Sequence, residues 1–212
     1  MKKIYLIRHA QSESNARLAI RPNPVINLTD VGRMEAEELS EWLSVNIQQP
    51  IDGVFTSHYV RTAQTAAPFL AQLGSTAKVI EALHEFDYLD FDRIKDLSFE
   101  DLIATAEDFW QQGDTSYQDG TAEDTYERFV ERVRTVRQMF DELPDGNYVV
   151  FTHGMWIGML MWQIIHGDGT RMMDMPAFRA YELAIRPKNC EVYLLTDAQG
   201  LQSVAKVRVR DE

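Results

Sequence analysis

Short β-branched apolar runs alternate along this chain with longer segments whose apolar residues recur at helical spacing. Residues 3–7 form a compact apolar run bounded by charge and predict a central strand. Residues 15–29, with Pro22 and Pro24, predict an irregular crossing, after which Asp30 can cap a helix over 30–46. Val31, Met34, Leu39, Trp42 and Leu43 give that helix one apolar stripe. Residues 53–57 predict a second strand, followed by a helix through Leu73 that stops at Gly74. A third short strand falls at 78–80. Residues 83–120 mix charge and aromatics with no clean period beyond a short helix at 99–110, and they read as an inserted cap within a single domain spanning 1–212. Thr121 and Asp124 then resemble a capping box at the head of a long helix carrying Tyr126, Phe129, Val130, Val133, Val136, Phe140 and Leu143. Residues 148–152 predict a fourth strand and 155–166 a helix. Antiparallel edge strands are expected near 181–185, 192–195 and 204–209.

Strands alternating with helices imply βαβ units. The predicted fold is therefore a three-layer α/β/α arrangement, a mostly parallel sheet flanked by helices, plus the inserted cap. In such sheets ligands bind at the carboxyl ends of the strands. Three of those ends carry reactive side chains: Arg8-His9 after the first strand, Arg61 shortly after the second, and His153 after the fourth.

Composition narrows the function classes. The chain has 212 residues, 45% of them apolar, enough for a large core. Its 21 cationic and 33 anionic side chains give a net charge of −12, so the average surface repels nucleic acid and anionic membrane. An anionic ligand would need a local cationic pocket. The single Cys190 allows no intramolecular disulfide and no thiolate cluster, which suits a cytoplasmic location. The apolar run after Met1-Lys2-Lys3 is too short for a secretion signal, and the stretch at 155–165 is too short to span a membrane. Trp156, Met159, Leu160, Met161 and Trp162 make that stretch apolar almost all round, which predicts a buried helix.

The candidate chemistry is that of phosphate. Arg8 offers a planar fork of donors to phosphoryl oxygens, and a neutral imidazole such as His9 is a competent nucleophile near pH 7. Arg61 falls in the first turn of a helix, where a bound anion would reconcile the guanidinium with the helix dipole. His153, before Gly154, can donate to a phosphoryl oxygen. Glu85, at the start of the cap, can protonate a leaving alkoxide and later deprotonate water, with Asp87 as its rival for that role. Asp87, Asp90 and Asp92 read as a solvated loop and not a metal site, and the histidines show no metal-ligand spacing, so no metal and no cofactor are expected. His58 and His84 have no assigned role, and His166 reads as a surface residue.

Taken singly, each of these residues has an ordinary packing explanation; their order along the chain does not. Leu6-Ile7-Arg8-His9-Ala10-Gln11-Ser12-Glu13-Ser14-Asn15 resembles the Arg-His-Gly-Glu/Gln-Ser/Thr-x-x-Asn signature of the histidine phosphatase superfamily, the phosphoglycerate mutase-like enzymes. Leu28-Thr29-Asp30-Val31-Gly32, the stretch from Tyr59 to Ala66, and Val149 to Gly154 are similar to further motifs of that family, in the same order. Three departures stand out: Ala10 in place of the usual glycine, His58 in a place often filled by proline, and Phe86-Asp87-Tyr88-Leu89-Asp90 after Glu85. The resemblance implies a metal-independent phosphomonoester hydrolase that carries the phosphoryl group on His9 and acts on a small phosphorylated metabolite. Arg8, Arg61 and His153 would grip the phosphoryl group, joined by Asn15 and Ser12, and Glu85 would act as acid and base. It leaves two alternatives: a phosphoglycerate mutase, whose members tend to carry more cap sequence, and a non-catalytic phosphate-binding relative. Neither the substrate nor the oligomeric state is legible.

Overall fold

The first strand, β1 (Lys2–Arg8), pairs in parallel with a strand from far along the chain, β4 (Asn147–Thr152), placing Arg8 opposite Thr152. Both are buried almost throughout, the pattern of strands covered on two faces. On the far side of β4 lie β2 (Gly53–Thr56) and the two-residue β3 (Lys78–Val79), all parallel. Beyond β1 the direction reverses: β5 (Val192–Ala198) runs antiparallel to β1, and β6 (Leu201–Arg208) antiparallel to β5. The sheet order is β3-β2-β4-β1-β5-β6. This computed structural model describes residues 1–48, 50–167, 169–198 and 200–209.

Strand side chains alternate between two cores. Tyr5, Ile7, Val149 and Phe151 face the layer formed by α1 (Asp30–Asn46) and α2 (Val60–Leu73). Ile4, Leu6, Tyr148 and Val150 face the other layer. That layer holds α4 (Phe99–Gln112), α5 (Tyr126–Glu142), α6 (Gly154–His166) and α7 (Met175–Ile185), the short α3 (Phe91–Ile94) lying just before α4 in the chain. This is the expected α/β/α arrangement. Among the described residues no helix is long and apolar enough to cross a membrane.

Three local expectations need correction. Residues 181–185 alternate like a strand but belong to α7. Asp174 caps that helix through the Ala177 amide, Pro176 suits its first turn, and buried Glu182 pairs with Arg179 and Arg186 at i−3 and i+4 spacing, which only a helix provides. The long helix begins four residues later than expected: Thr125, not Thr121, accepts from the Arg128 amide, while Thr121 donates to Asp90. Thr29, not Asp30, caps α1, accepting from the Gly32 amide at 3.0 Å. A Cβ on Gly32 would lie 2.0 Å from the Gln11 carbonyl oxygen, so only glycine lets α1 start against the loop that follows His9.

The segment 83–120 is tied into the second core by aromatic packing. The Phe86 ring stacks on Phe129 of α5 at 4.5 Å, and Tyr88, Phe109 and Trp110 surround it.

Candidate active site

The carboxyl ends of β1 and β4 put two histidines side by side. His9 and His153 each follow their strand by one residue, and their rings meet edge to face at 5.2 Å. The His9 amide continues the ladder by donating to the Thr152 carbonyl. β2 ends at Thr56, and α2 begins four residues on, so Arg61 leans back over the sheet edge. Thr152 Oγ1 donates to the Leu83 carbonyl and Trp156 Nε1 to the Ala82 carbonyl, which draws the chain across the end of β4 and delivers Glu85. All five expected residues are thus gathered at one end of the sheet.

His9 is buried, and its Nδ1 faces the Ala10 carbonyl oxygen at 2.8 Å. A carbonyl accepts only, so Nδ1 carries the proton and Nε2 holds the lone pair. Arg61 Nε donates to that Nε2 at 3.2 Å. Burial, reinforced by Arg61 and Arg8, holds the His9 pKa well below 6.5, so the ring is neutral at pH 7. Arg61 is itself buried: it donates to the Asn23 carbonyl at 2.6 Å and rests over the Tyr59 ring, and burial pulls its pKa down to about 10. Arg8 donates to the Pro187 carbonyl at 2.5 Å, while its Nε is buried with no hydrogen-bond partner.

Glu85 sits on the amino end of α6. Its carboxylate accepts from the amides of Met155 and Trp156 at 3.1 Å each, and from Phe86 at 3.0 Å. Burial nevertheless raises its pKa, with those amides, Arg61 and Arg8 opposing. Asp87, its rival, points elsewhere. It takes a hydrogen bond from Asn23 Nδ2, and burial likewise raises its pKa.

These groups enclose a cavity of about 220 Å³ lined by Arg8, His9, Ser12, Asn15, Arg61 and Glu85, among others. The Asn15 side-chain oxygen is occupied by the Ser12 amide, the Ser12 hydroxyl and Asn189 Nδ2, so its own Nδ2 is what it can offer a ligand. His153 lies behind His9 and does not line the cavity wall. Its Nε2 is 2.9 Å from Ser57 Oγ, its Nδ1 is buried without a partner, and burial beside Arg61 holds its pKa well below 6.5.

The two unassigned histidines stand apart from the cavity. His84 donates from Nδ1 to the Glu81 carbonyl, its Nε2 sits near Glu123 and Asp124, and burial takes its pKa to about 4. His58 is exposed and packs edge-on against Tyr59 and His84. Asp90 and Asp92 serve as turn and cap groups: Asp90 accepts from the amides of Asp92 and Thr121, and Asp92 pairs with Lys95.

Sequence reasoning missed four lining or bridging residues. Asn23 braces both Arg61 and Asp87, and Asn189 spans the His9 carbonyl and Asn15. Arg186 and Glu182 close one side of the cavity as a two-pronged ion pair. The signal was the run Arg186-Pro187-Lys188-Asn189, cationic in an acidic chain, placed just before a strand that pairs with β1.

Comparison with known proteins agrees with this geometry. A 98-residue stretch is 33% identical to the PE-PGRS family protein PE_PGRS11 of Mycobacterium tuberculosis, but it spans 45% of this chain and only 16% of that protein. Over 195 residues the chain is 25% identical to a protein of Salmonella arizonae named as a probable phosphoglycerate mutase, GpmB, covering 91% of this chain and 83% of that one. Among solved structures, a phosphoserine phosphatase mutant from Entamoeba histolytica in complex with phosphoserine superposes with a TM-score of 0.73. It covers 97% of this chain and 96% of its own at 18% identity, a likeness of fold. A family model matches residues 4–198, nearly the full length. The chain belongs to the histidine phosphatase superfamily, branch 1.

Proposed function

We propose that this protein is a metal-independent phosphomonoester hydrolase that acts on a small phosphorylated metabolite through a covalent phosphohistidine at His9. The observation that carries this reading is the His9 ring, neutral, with its proton held on Nδ1 by Ala10 and its Nε2 lone pair beside Arg61. The family match, a relative named as a probable mutase, and a fold shared with a phosphatase that holds phosphoserine support it.

In this scheme the substrate phosphoryl group enters the cavity and takes donors from Arg8, Arg61, Asn15 Nδ2 and the Ser12 region. His153, edge to face with His9, is the further donor of the scheme; its Nδ1, buried without a partner, takes a proton when the phosphoryl anion binds. His9 Nε2 attacks phosphorus in line, the ester P–O bond breaks, and Glu85 protonates the departing alkoxide. Glu85, now a carboxylate, takes a proton from water, which attacks phosphorus and breaks the P–N bond, releasing phosphate. Fixed donors around the equatorial oxygens lower the barrier most. The guanidinium groups do the work that a divalent cation does in other phosphoryl-transfer sites, so activity in EDTA is expected. Residues 83–120 act as the cap.

The test is to assay p-nitrophenyl phosphate in EDTA with wild type and His9→Ala, and to trap the labelled protein. Wild type is expected to turn over and to carry an acid-labile phosphoryl label; His9→Ala is expected to lose both, by roughly 10³-fold or more in rate. Full activity in that variant would falsify the scheme. The similarity to a protein named as a mutase motivates a second reading, return of the phosphoryl group to substrate. Chasing the labelled enzyme with 3-phosphoglycerate separates the two: a hydrolase releases inorganic phosphate whether or not the acceptor is present.

A further inference from the structure

A second cavity, of about 560 Å³, opens directly off the first, and the two share Ser14, Asn23, Ile26, Glu85, Met155 and Arg186. Its size falls in the range of sites that hold drug-sized ligands. Glu85 stands at the junction, so the proton it donates is delivered at the mouth between the cavities. An ester whose phosphoryl group sits against His9 therefore places its alcohol portion in the second space.

The walls define that alcohol. Ile20, Leu89, Leu102, Ile103, Ala106 and Leu183 line the space, drawn from the loop after β1, from 83–120 with α4, and from α7. Ile103 and Leu183 are about half exposed, at 54% and 51%, although they lie on helices packed into the second core. They are apolar surface that a ligand would take out of water.

The cations of this cavity are three arginines, and each already holds a carboxylate. Arg186 makes a two-pronged pair with Glu182 at 2.8 and 2.9 Å. Arg179 bonds Glu182 at 3.0 Å and lies 3.8 Å from Glu107. Arg21 pairs with Glu13 at 3.1 Å. Asp87 adds a further acid to the same wall. Glu182 is buried, so a leaving group whose own carboxylate drew Arg179 or Arg186 away from it would leave that acid desolvated and unpaired, and the other acids of the wall would repel it.

We infer, resting on the phosphohydrolase reading above, that the substrate is the phosphate ester of a bulky, apolar, uncharged alcohol, which the second cavity selects. This sets the protein apart from enzymes of phosphoserine or phosphoglycerate, whose esters carry a carboxylate.

The experiment compares n-octyl phosphate with ethyl phosphate, whose alkoxides are of similar basicity, and with phosphoserine and 3-phosphoglycerate. In parallel, calorimetry measures a series of n-alkylphosphonates, which bind without turnover. Octyl phosphate is expected to exceed ethyl phosphate and both carboxylate esters in kcat/KM by at least about 100-fold. Phosphonate affinity is expected to rise roughly threefold to fourfold per methylene until the cavity is filled. Leu183→Asp and, separately, Leu102→Asp should each cut the octyl-to-ethyl ratio at least tenfold. That ratio is internal to each preparation and is blind to partial misfolding. A flat phosphonate series, or a preference for the carboxylate esters, overturns the inference. No turnover of any ester alongside a rising phosphonate series overturns the hydrolytic reading alone.

Discussion

The two cavities at the carboxyl end of the sheet are walled in different ways. In the first, polar atoms are fixed by backbone partners: Ala10 sets the His9 tautomer, Asn23 and Pro187 anchor the arginines, and the amides of Met155 and Trp156 hold Glu85. Such groups need little reorganisation when charge develops, which is the condition for strong electrostatic catalysis. In the second, the wall is aliphatic and the charges are matched among themselves, so a ligand gains there mainly by burying apolar surface. The contrast separates chemistry from selection. On the proposed reading, the first space treats every monoester alike and the second distinguishes between them.

That division can be broken experimentally. Replacing an anchored donor is expected to harm all esters equally: Arg61→Ala should lower kcat/KM by roughly 10²–10³-fold for octyl and ethyl phosphate alike. Kinetics showing a loss confined to one ester would mean that Arg61 selects rather than stabilises. Glu85→Gln comes next, with a loss of roughly 10²-fold or more for alkyl esters and a much smaller one for p-nitrophenyl phosphate, whose leaving group needs no proton. Equal losses would move the acid to another side chain.

The pH profile sharpens the same point. His9 must be unprotonated to attack, and its pKa lies well below 6.5, so kcat/KM is expected to hold as the medium is acidified and to fall only well below that value. Glu85 must be protonated to donate, and burial raises its pKa above the usual 4.5, so the rate is expected to fall as pH climbs through that raised value. Glu85→Gln should erase the alkaline limb for alkyl esters, and a limb that persists would belong to a different group. The smallest effect belongs to Ser57→Ala, which removes the partner of His153 Nε2 without touching the cavity. A loss below about tenfold, the scale of one hydrogen bond, is expected in steady-state assays; a larger one would make Ser57 part of the chemistry.

The first cavity was far more legible in the sequence than the second. Arg8, His9, Arg61 and His153 lie at or just after the ends of strands that are short, apolar and bounded by clear breaks, so both their place and their order could be read. Glu85 could be placed but not told apart from Asp87, because the difference lies in the α6 amides that receive one carboxylate and the Asn23 amide that receives the other. The second cavity is assembled from residues about 20, 90, 103 and 183, none of which shares a motif with the others. Residues 181–185 illustrate why. Their alternation is that of a strand, and what overrides it is a cap at Asp174 and a buried acid whose two arginine partners are one helical turn away on either side. With that segment read as a strand, the cationic run that begins at Arg186 carried no pointer to the site.

The register between β1 and β4 has a consequence for how the protein acquires activity. Arg8 and Thr152 are neighbours across the ladder yet lie 152 − 8 = 144 residues apart in the chain. The two histidines meet only when that pairing closes, and contacts of such long range carry the largest loop-closure entropy and form slowly. Helices such as α1 and α5, whose backbone hydrogen bonds are local, can form before it. During refolding, helical signal should therefore return ahead of turnover, and regained activity will report the zipping of the central strands rather than collapse of the chain.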